Sequence, residues 1–135
     1  MYKKVLVPIA FDDEHDPAPA ITIARRLADG DAEITLLHVI EQIPGYAVSY
    51  LPAGYRAEAK KALQAELSGI ASGVPGARAV LVEGHSGRTI LDYAEKSGAD
   101  LIVIASHKPG MQDLLLGSTA SQVVRHAKCA VHVLR

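Results

Sequence analysis

The sequence predicts an α/β protein whose parallel sheet is covered by helices on both faces. Two observations support this prediction: five short runs rich in Val, Ile and Leu, and segments with helical periodicity between them. Strands that are apolar almost without interruption are typical of parallel strands buried on both sides. The resulting order, β-α-β-α-β-α-β-α-β, implies right-handed crossovers within a doubly wound sheet.

Each of the five apolar runs has the length of one strand. They are KVLVPI (4–9), EITLLHVI (33–40), RAVLVEG (78–84), DLIVIAS (100–106) and AVHVLR (130–135). The first, second and fourth are the most continuously apolar, which predicts strands covered on both faces.

Apolar residues recur at helical spacing in the four segments between the strands. The four stripes are Ala20, Ile21, Ala24, Leu27 and Ala28; Ala59, Leu63, Leu67, Ile70 and Ala71; Ile90, Leu91 and Ala94; and Ala120, Val123, Val124 and Ala127. The least regular stretch runs from Glu41 to Tyr55 and holds three of the five tyrosines. Its Pro and Gly residues argue against a continuous helix, and its length is typical of a lid, a binding loop or an interface.

Composition limits the classes of protein that the chain can be. Its 135 residues, 49% of them hydrophobic, fit one domain. The 14 basic and 15 acidic residues nearly cancel, and Lys and Arg form no run, so we expect no nucleic-acid partner. Spanning a bilayer takes about 20 apolar residues, and no such stretch occurs. With no signal-like start either, we expect a cytoplasmic protein. The lone Cys129 is interpreted as a small buried apolar residue.

Ligands of doubly wound sheets bind beyond the carboxyl ends of the strands, where the winding direction reverses. Gly117, Ser118 and Thr119 follow the fourth strand and open the last helix, a position suited to an anion such as phosphate. The alternative is an ordinary Ser or Thr N-cap. Lys108 could place a positive charge beside a ligand, or it could be a solvated loop lysine.

Other candidates leave alternatives open. Asp12 and Asp13 could hold Mg²⁺ beside phosphates, or they could cap the next helix. His38, inside the second strand, is interpreted as a hydrogen-bonded histidine of the core or rim. His107 directly follows the fourth strand and is a candidate for the pocket lining. Neither a Walker A motif nor a glycine-rich dinucleotide fingerprint is present.

Several stretches together resemble the universal stress protein family over essentially the whole chain. They are KKVLVPI, LLHVI, LIVIASHKPG and LLLGSTASQVVRHAKCAVHVL. The last is the most specific, and ASHKPG resembles the F/G-type branch, which is associated with ATP binding. The resemblance implies that residues 1–135 form one universal stress protein domain. It also implies a five-stranded sheet of order 3-2-1-4-5, with the winding called flavodoxin-like or adenine nucleotide alpha hydrolase-like.

The resemblance further implies a homodimer, paired through the last strand, that binds ATP or a related adenine nucleotide. Nucleotide-binding members carry Gly-x2-Gly-x9-Gly-Ser/Thr after the fourth strand. The implied cofactor-binding residues are Pro8, Ile9, Ala10, Val39, Ala105, Ser106, His107, Lys108, Gly110, Gly117, Ser118 and Thr119. Val39 matches the position whose backbone contacts adenine.

The chain departs from the family pattern in two places. Ala105 and Lys108 occupy the first two glycine positions, and the connection to Gly117 is one residue shorter. Ala10 stands where the family usually has Asp. A nucleotide-free dimeric interaction protein is therefore an alternative to an ATP-binding stress-response module. No general base is evident, so any hydrolysis should be slow. A phospho-receiver is disfavoured because VLVEG and VHVLR lack the Asp and Lys that it requires.

Overall fold

Strands and helices alternate along the chain in a computed structural model, which describes residues 1–11, 16–106 and 116–135. The strands are β1 (Tyr2–Pro8), β2 (Ala28–Ile40), β3 (Ala77–Glu83), β4 (Leu101–Ala105) and β5 (Ala130–Leu134). The helices are α1 (Ala18–Leu27), α2 (Gly45–Val48), α3 (Tyr55–Ser72), α4 (Ser86–Ser97) and α5 (Ser118–His126).

All five strands pair in parallel in one sheet of order β3-β2-β1-β4-β5. The predicted fold class and strand order are confirmed. The chain moves outward from β1 to β2 and β3, and then returns to the other side of β1 to form β4 and β5. The winding direction therefore reverses between β1 and β4, where ligands of such sheets bind.

The alternation of side chains along the strands produces one hydrophobic cluster on each face of the sheet. On one face, Val5 and Val7 of β1 pack in a cluster with residues of α1 and α3. On the other face, Leu6 packs with residues of α4 and α5. The central strands are thus covered on both sides, as their continuous apolar sequence predicts.

The first and last predicted helical stripes are wrong at their ends. Ala28 is already extended, with ψ 145°, and pairs with Tyr2 as the first residue of β2. The sequence that follows it, Asp-Gly-Asp, consists of poor helix formers, which explains why α1 ends at Leu27. In the last helix Val124 is 43% exposed and Ala127 is the extended C-cap, so neither continues a buried helical face.

The stretch from Glu41 to Tyr55 is not continuous helix, as predicted, but it contains the one-turn helix α2, and Tyr55 begins α3. Gly54, with φ 78°, turns the chain into α3. Near this helix start, Arg56 and Lys60 contact Glu83 at the end of β3, with N–O distances of 3.0 and 2.8 Å. The hydrogen bond from Lys60 lowers the pKa of Glu83.

Cys129 precedes β5 and is only half-buried, so its interpretation as a buried residue is wrong. It packs beside the cluster formed by α4 and α5 at the edge of the sheet. Burial of the thiol raises its pKa. In the described part of the chain, none of the helices has both the length and the apolar character required to cross a bilayer.

Candidate functional site

A cavity of about 380 Å³ opens at the carboxyl edge of the sheet, at the reversal of winding between β1 and β4. This is within the size range of small-molecule sites. Three strand ends and the starts of α1, α4 and α5 contribute to its wall. The described lining residues are Pro8, Ile9, Ala10, Asp16, Pro17, Ala20, Leu37, His38, Val39, Ser86, Ile90, Ile104, Ala105, Ser106, Gly117, Ser118, Thr119 and Ala120.

The ends of β1 and β2 leave one backbone group without its ladder partner. The N–H of Ile9 donates to the carbonyl of Leu37 at 2.7 Å. In a parallel ladder the next bond would join the N–H of Val39 to the carbonyl of Ile9. That carbonyl is instead contacted by Nδ1 of His38 at 2.7 Å. No backbone acceptor for the N–H of Val39 occurs among the described residues, so this part of β2 faces the cavity with an open edge.

His38 confirms the interpretation of a hydrogen-bonded rim histidine. A carbonyl oxygen only accepts hydrogen bonds, so Nδ1 must carry the proton of this contact. The ring also packs edge-on against Phe11, with centroids 4.8 Å apart. Sequence reasoning did not place His38 in the pocket. Its position one residue before Val39 was the available signal.

Ser106 lies at the end of β4, and its backbone is bonded on both sides. Its N–H donates to the carbonyl of Leu134, and its carbonyl accepts from the N–H of Gly117. Its side chain is 2% exposed, yet Oγ has no hydrogen-bond partner in the part of the chain that the structure describes. A buried hydroxyl without a partner is unfavourable by about 1–3 kcal/mol, so a bound ligand at this wall could satisfy it.

Helix α5 presents its N-terminus to the same cavity. Gly117 is its N-cap and has no side chain with which to cap, so the alternative of a Ser or Thr N-cap is wrong. The first bond within the helix runs from the N–H of Ser121 to the carbonyl of Gly117. The N–H groups of Ser118 and Thr119 therefore have no acceptor inside the helix, and the helix dipole makes this end positive.

Two further polar side chains in the lining were not predicted. Asp16 accepts a hydrogen bond from the N–H of Ala18 at 3.0 Å and so caps the start of α1. Ser86 donates to Oε1 of Glu41 at 3.3 Å at the start of α4. Asp before Pro at the start of a helical pattern is a recognisable cap signal and could have identified Asp16.

The structure brings together nine of the twelve residues predicted to bind the cofactor. These are Pro8, Ile9, Ala10, Val39, Ala105, Ser106, Gly117, Ser118 and Thr119. The other three, His107, Lys108 and Gly110, lie outside the described residues, as do the predicted metal ligands Asp12 and Asp13. Within residues 1–11, 16–106 and 116–135, no three His, Cys, Asp or Glu side chains group as a metal site.

With the pocket defined, comparison with known proteins identifies the family. The profile described as "Universal stress protein family" matches residues 1–135. The chain belongs to the universal stress protein family. It is 36% identical to universal stress protein A homolog 2 of Coxiella burnetii, over 99% of this chain and 95% of the relative. It is 31% identical to universal stress protein G of Escherichia coli O157:H7, over the full length of both.

Solved structures of universal stress proteins share the fold. The universal stress protein UspA from Lactobacillus plantarum is 30% identical, with a TM-score of 0.70 over 99% of this chain and 98% of that chain. A family member from Arabidopsis thaliana with AMP bound has a TM-score of 0.66 at 22% identity, over 98% of this chain and 90% of that chain. A universal stress protein in complex with cAMP has a TM-score of 0.62 at 23% identity, over 99% of this chain and 97% of that chain. At these identities the last two likenesses concern the fold alone.

Proposed function

We propose that this universal stress protein binds ATP or a related adenine nucleotide in the cavity at the carboxyl edge of its sheet. The observation that carries the proposal is the pairing of two features in one cavity. One is the open backbone edge at Val39, and the other is the N-terminus of α5. The first suits a base and the second suits phosphate.

The base is assigned to the ends of β1 and β2. Apolar side chains of Ile9, Val39 and Ile104 line the cavity and offer surface for a planar ring. The backbone N–H and C=O of Val39 lie on the same side of the strand. They can donate to N1 of adenine and accept from its N6 amino group. Hypoxanthine reverses both hydrogen-bonding roles at this edge, so the site should favour adenine.

The phosphates are assigned to the start of α5. The N–H groups and hydroxyls of Ser118 and Thr119 supply donors, and the unpartnered hydroxyl of Ser106 lies in the same wall. The starts of α1 and α4 also line the cavity. The start of α4 adds positive potential, whereas the carboxylate of Asp16 offsets that of α1. Mg²⁺ is proposed to accompany ATP, with Asp12 and Asp13 as its candidate ligands.

The proposed ligand class agrees with two proteins that share the fold, since one has AMP bound and the other is in complex with cAMP. The proposal is for binding, and no chemical step is assigned to any residue. As the assembly we propose a homodimer through β5, which occupies one end of the sheet order.

Isothermal titration of the purified protein with ATP, AMP and cAMP tests the proposal, with ITP as the base control. Titration of ATP in EDTA and in Mg²⁺ separates the nucleotide from the metal. Mass spectrometry of the supernatant after denaturation detects nucleotide that co-purifies. We expect saturable binding of at least one adenine nucleotide and much weaker binding of ITP. Absence of binding to every adenine nucleotide would overturn the proposal and favour a nucleotide-free interaction protein.

A further inference from the structure

We propose that His38 is a positioning residue that keeps the backbone of Val39 open for the nucleobase. The inference rests on the proposed function, which it deepens by naming the group that prepares the base site. His38 acts through the carbonyl of Ile9 and needs no direct contact with the ligand. The ring bonds to that carbonyl, so the carbonyl no longer pairs with the N–H of Val39 in the sheet ladder. A ligand can then accept a hydrogen bond from that N–H.

The hydrogen bonds at the strand ends carry this argument. The ladder between β1 and β2 is regular from Lys4 to Pro8, and one more bond joins the N–H of Ile9 to the carbonyl of Leu37. The carbonyl of Ile9 would then accept from Val39 in an ordinary parallel ladder. Instead, the N–H at Nδ1 of His38 donates to that carbonyl, with 2.7 Å between Nδ1 and the oxygen of Ile9. A side chain of β2 thus substitutes for the backbone of its own strand.

The direction of the backbone groups shows where the freed donor points. The carbonyl of Leu37 accepts from Ile9, whereas that of Ile40 accepts from Gly84 beside β3. Residues two apart in a strand face the same neighbour, so Val39 faces β1 as Leu37 does. Strand β1 ends at Pro8, so no described strand lies beside Val39 on that side. The N–H and C=O of Val39 therefore face the cavity, which Pro8 and Val39 both line.

Two substitutions separate the positioning role from simple packing. The His38→Phe variant keeps an aromatic ring against Phe11 but has no N–H to donate. The carbonyl of Ile9 is then free to accept a hydrogen bond from the N–H of Val39. The side-chain amide of Asn in His38→Asn can donate from nearly the place of Nδ1. We expect His38→Phe to weaken ATP binding about tenfold, the effect of one lost hydrogen bond. We expect His38→Asn to keep most of the wild-type affinity for ATP.

Base selectivity distinguishes this role from a structural one. A merely structural change would lower the affinities for ATP and ITP by the same factor. Closure of the Val39 edge should instead reduce the ratio of the two affinities, because the adenine-specific donor is lost. His126→Phe is the matched control, since His126 is exposed at the last residue of α5. It should change neither affinity.

Amide hydrogen exchange in the ligand-free proteins tests the same point without any nucleotide. In the wild type the N–H of Val39 should exchange much faster than that of Leu37, and in His38→Phe it should become protected. If Val39 is already as protected as Leu37 in the wild type, the positioning role is overturned. It is also overturned if His38→Phe keeps the wild-type ratio of ATP to ITP affinity. A failure of all nucleotides to bind would overturn the proposed function but leave the exchange result standing.

Discussion

Ser106 carries a buried hydroxyl that has no hydrogen-bond partner among the described residues. Its backbone N–H and C=O, in contrast, are both used within the protein. A buried hydroxyl without a partner lowers the stability of the free protein, and under the proposed function a bound nucleotide would supply that partner. Affinity and stability should therefore respond in opposite ways to its removal.

We predict that Ser106→Ala weakens nucleotide binding by about three- to tenfold while the melting temperature stays the same or rises. The binding loss corresponds to one hydrogen bond, and the stability gain to the removal of an unsatisfied buried hydroxyl. Calorimetric titration and thermal unfolding measure the two effects. Ser97→Ala is the control, because Ser97 is the last residue of α4, away from the cavity, and its hydroxyl donates to the carbonyl of Ala94.

A decrease in stability for Ser106→Ala, with binding unchanged, would show that the hydroxyl has a partner within the protein. In that case it would have no role in the cavity.

Gly117 gives a second prediction at this scale. Its backbone, with φ −62° and ψ 159°, is open to any residue, so Val can adopt it without strain. A branched side chain at the N-cap would nevertheless project beside the donors of α5. We predict that Gly117→Val lowers nucleotide affinity at least fivefold, a loss of about 1 kcal/mol or more, and leaves the fold intact.

Circular dichroism checks the fold of Gly117→Val, and Gly30→Val provides the control. A side chain added at Gly30 meets no atom within 4 Å, and this residue lies near the start of β2, away from the cavity. Binding of ATP by Gly117→Val within twofold of the wild type would place the phosphate site elsewhere.

Among the elements, the segment from Glu41 to Tyr55 differs most from the rest of the fold. Tyr46 is 80% exposed and Tyr50 is 85% exposed, although tyrosines usually bury most of their ring. The segment leaves β2 directly after the open edge at Val39, and Glu41 bonds to Ser86 in the cavity wall. Its position links it to the cavity, and its exposed rings leave apolar surface for a further contact.

We predict that nucleotide or subunit contact orders the part of this segment from Tyr46 to Tyr55. Limited proteolysis with chymotrypsin measures the effect, since the enzyme cleaves after tyrosine and Tyr46 and Tyr50 are accessible. Cleavage should slow when ATP is added or when the protein is concentrated. Equal rates with and without ATP, in both dilute and concentrated protein, would contradict the prediction.

At the scale of the whole molecule, β5 stands at the edge of the sheet and pairs with β4 alone among the described strands. The carbonyl of Leu134 accepts from Ser106, so Leu134 faces β4. By alternation His132 also faces β4, whereas Val131 and Val133 direct their N–H and C=O groups outward. An unpaired edge of this kind favours the addition of a second copy about a twofold axis.

We predict that Val133→Pro converts a dimer to a monomer and leaves the sheet folded, because proline removes an N–H that points away from β4. The control, His132→Pro, removes an N–H that faces β4 and should destabilise the fold itself. Light scattering reports the assembly, and circular dichroism reports the fold. A wild-type protein that is monomeric at micromolar concentration would contradict the edge-pairing prediction. A tetramer would require a second contact, for which the tyrosine segment is the candidate.

Most of the fold could be predicted from the sequence because the buried strands carry a clear signal. The apolar runs at β1, β2 and β4 correspond to strands that are covered on both faces. Errors fell at element ends, as at Ala28, where an apolar residue fits a helix pattern and a strand equally well. There the pairing with Tyr2, a contact distant in sequence, decided the outcome.

The site could be predicted only in part. Val39 was assigned to the pocket from the family resemblance, Gly117 from its place at a helix start as well as from the resemblance, and both line the cavity. Asp16 was missed although its bond to Ala18 is local and Asp before Pro was a visible signal. His38 was missed because its relation to the cavity depends on a hydrogen bond to a residue distant in sequence. No local pattern shows that a histidine ring will take the carbonyl of a neighbouring strand.

The hydrogen bond between Ser106 and Gly117 joins the two ends of the connection from β4 to α5. Holding these two ends together closes a loop, and loop closure has an entropy cost. That entropy varies slowly with length, and one residue more or less changes it by about 0.1 kcal/mol. A connection one residue shorter than the family pattern can therefore leave the start of α5 in place, because the strand end and the helix start are fixed to each other by their own backbones.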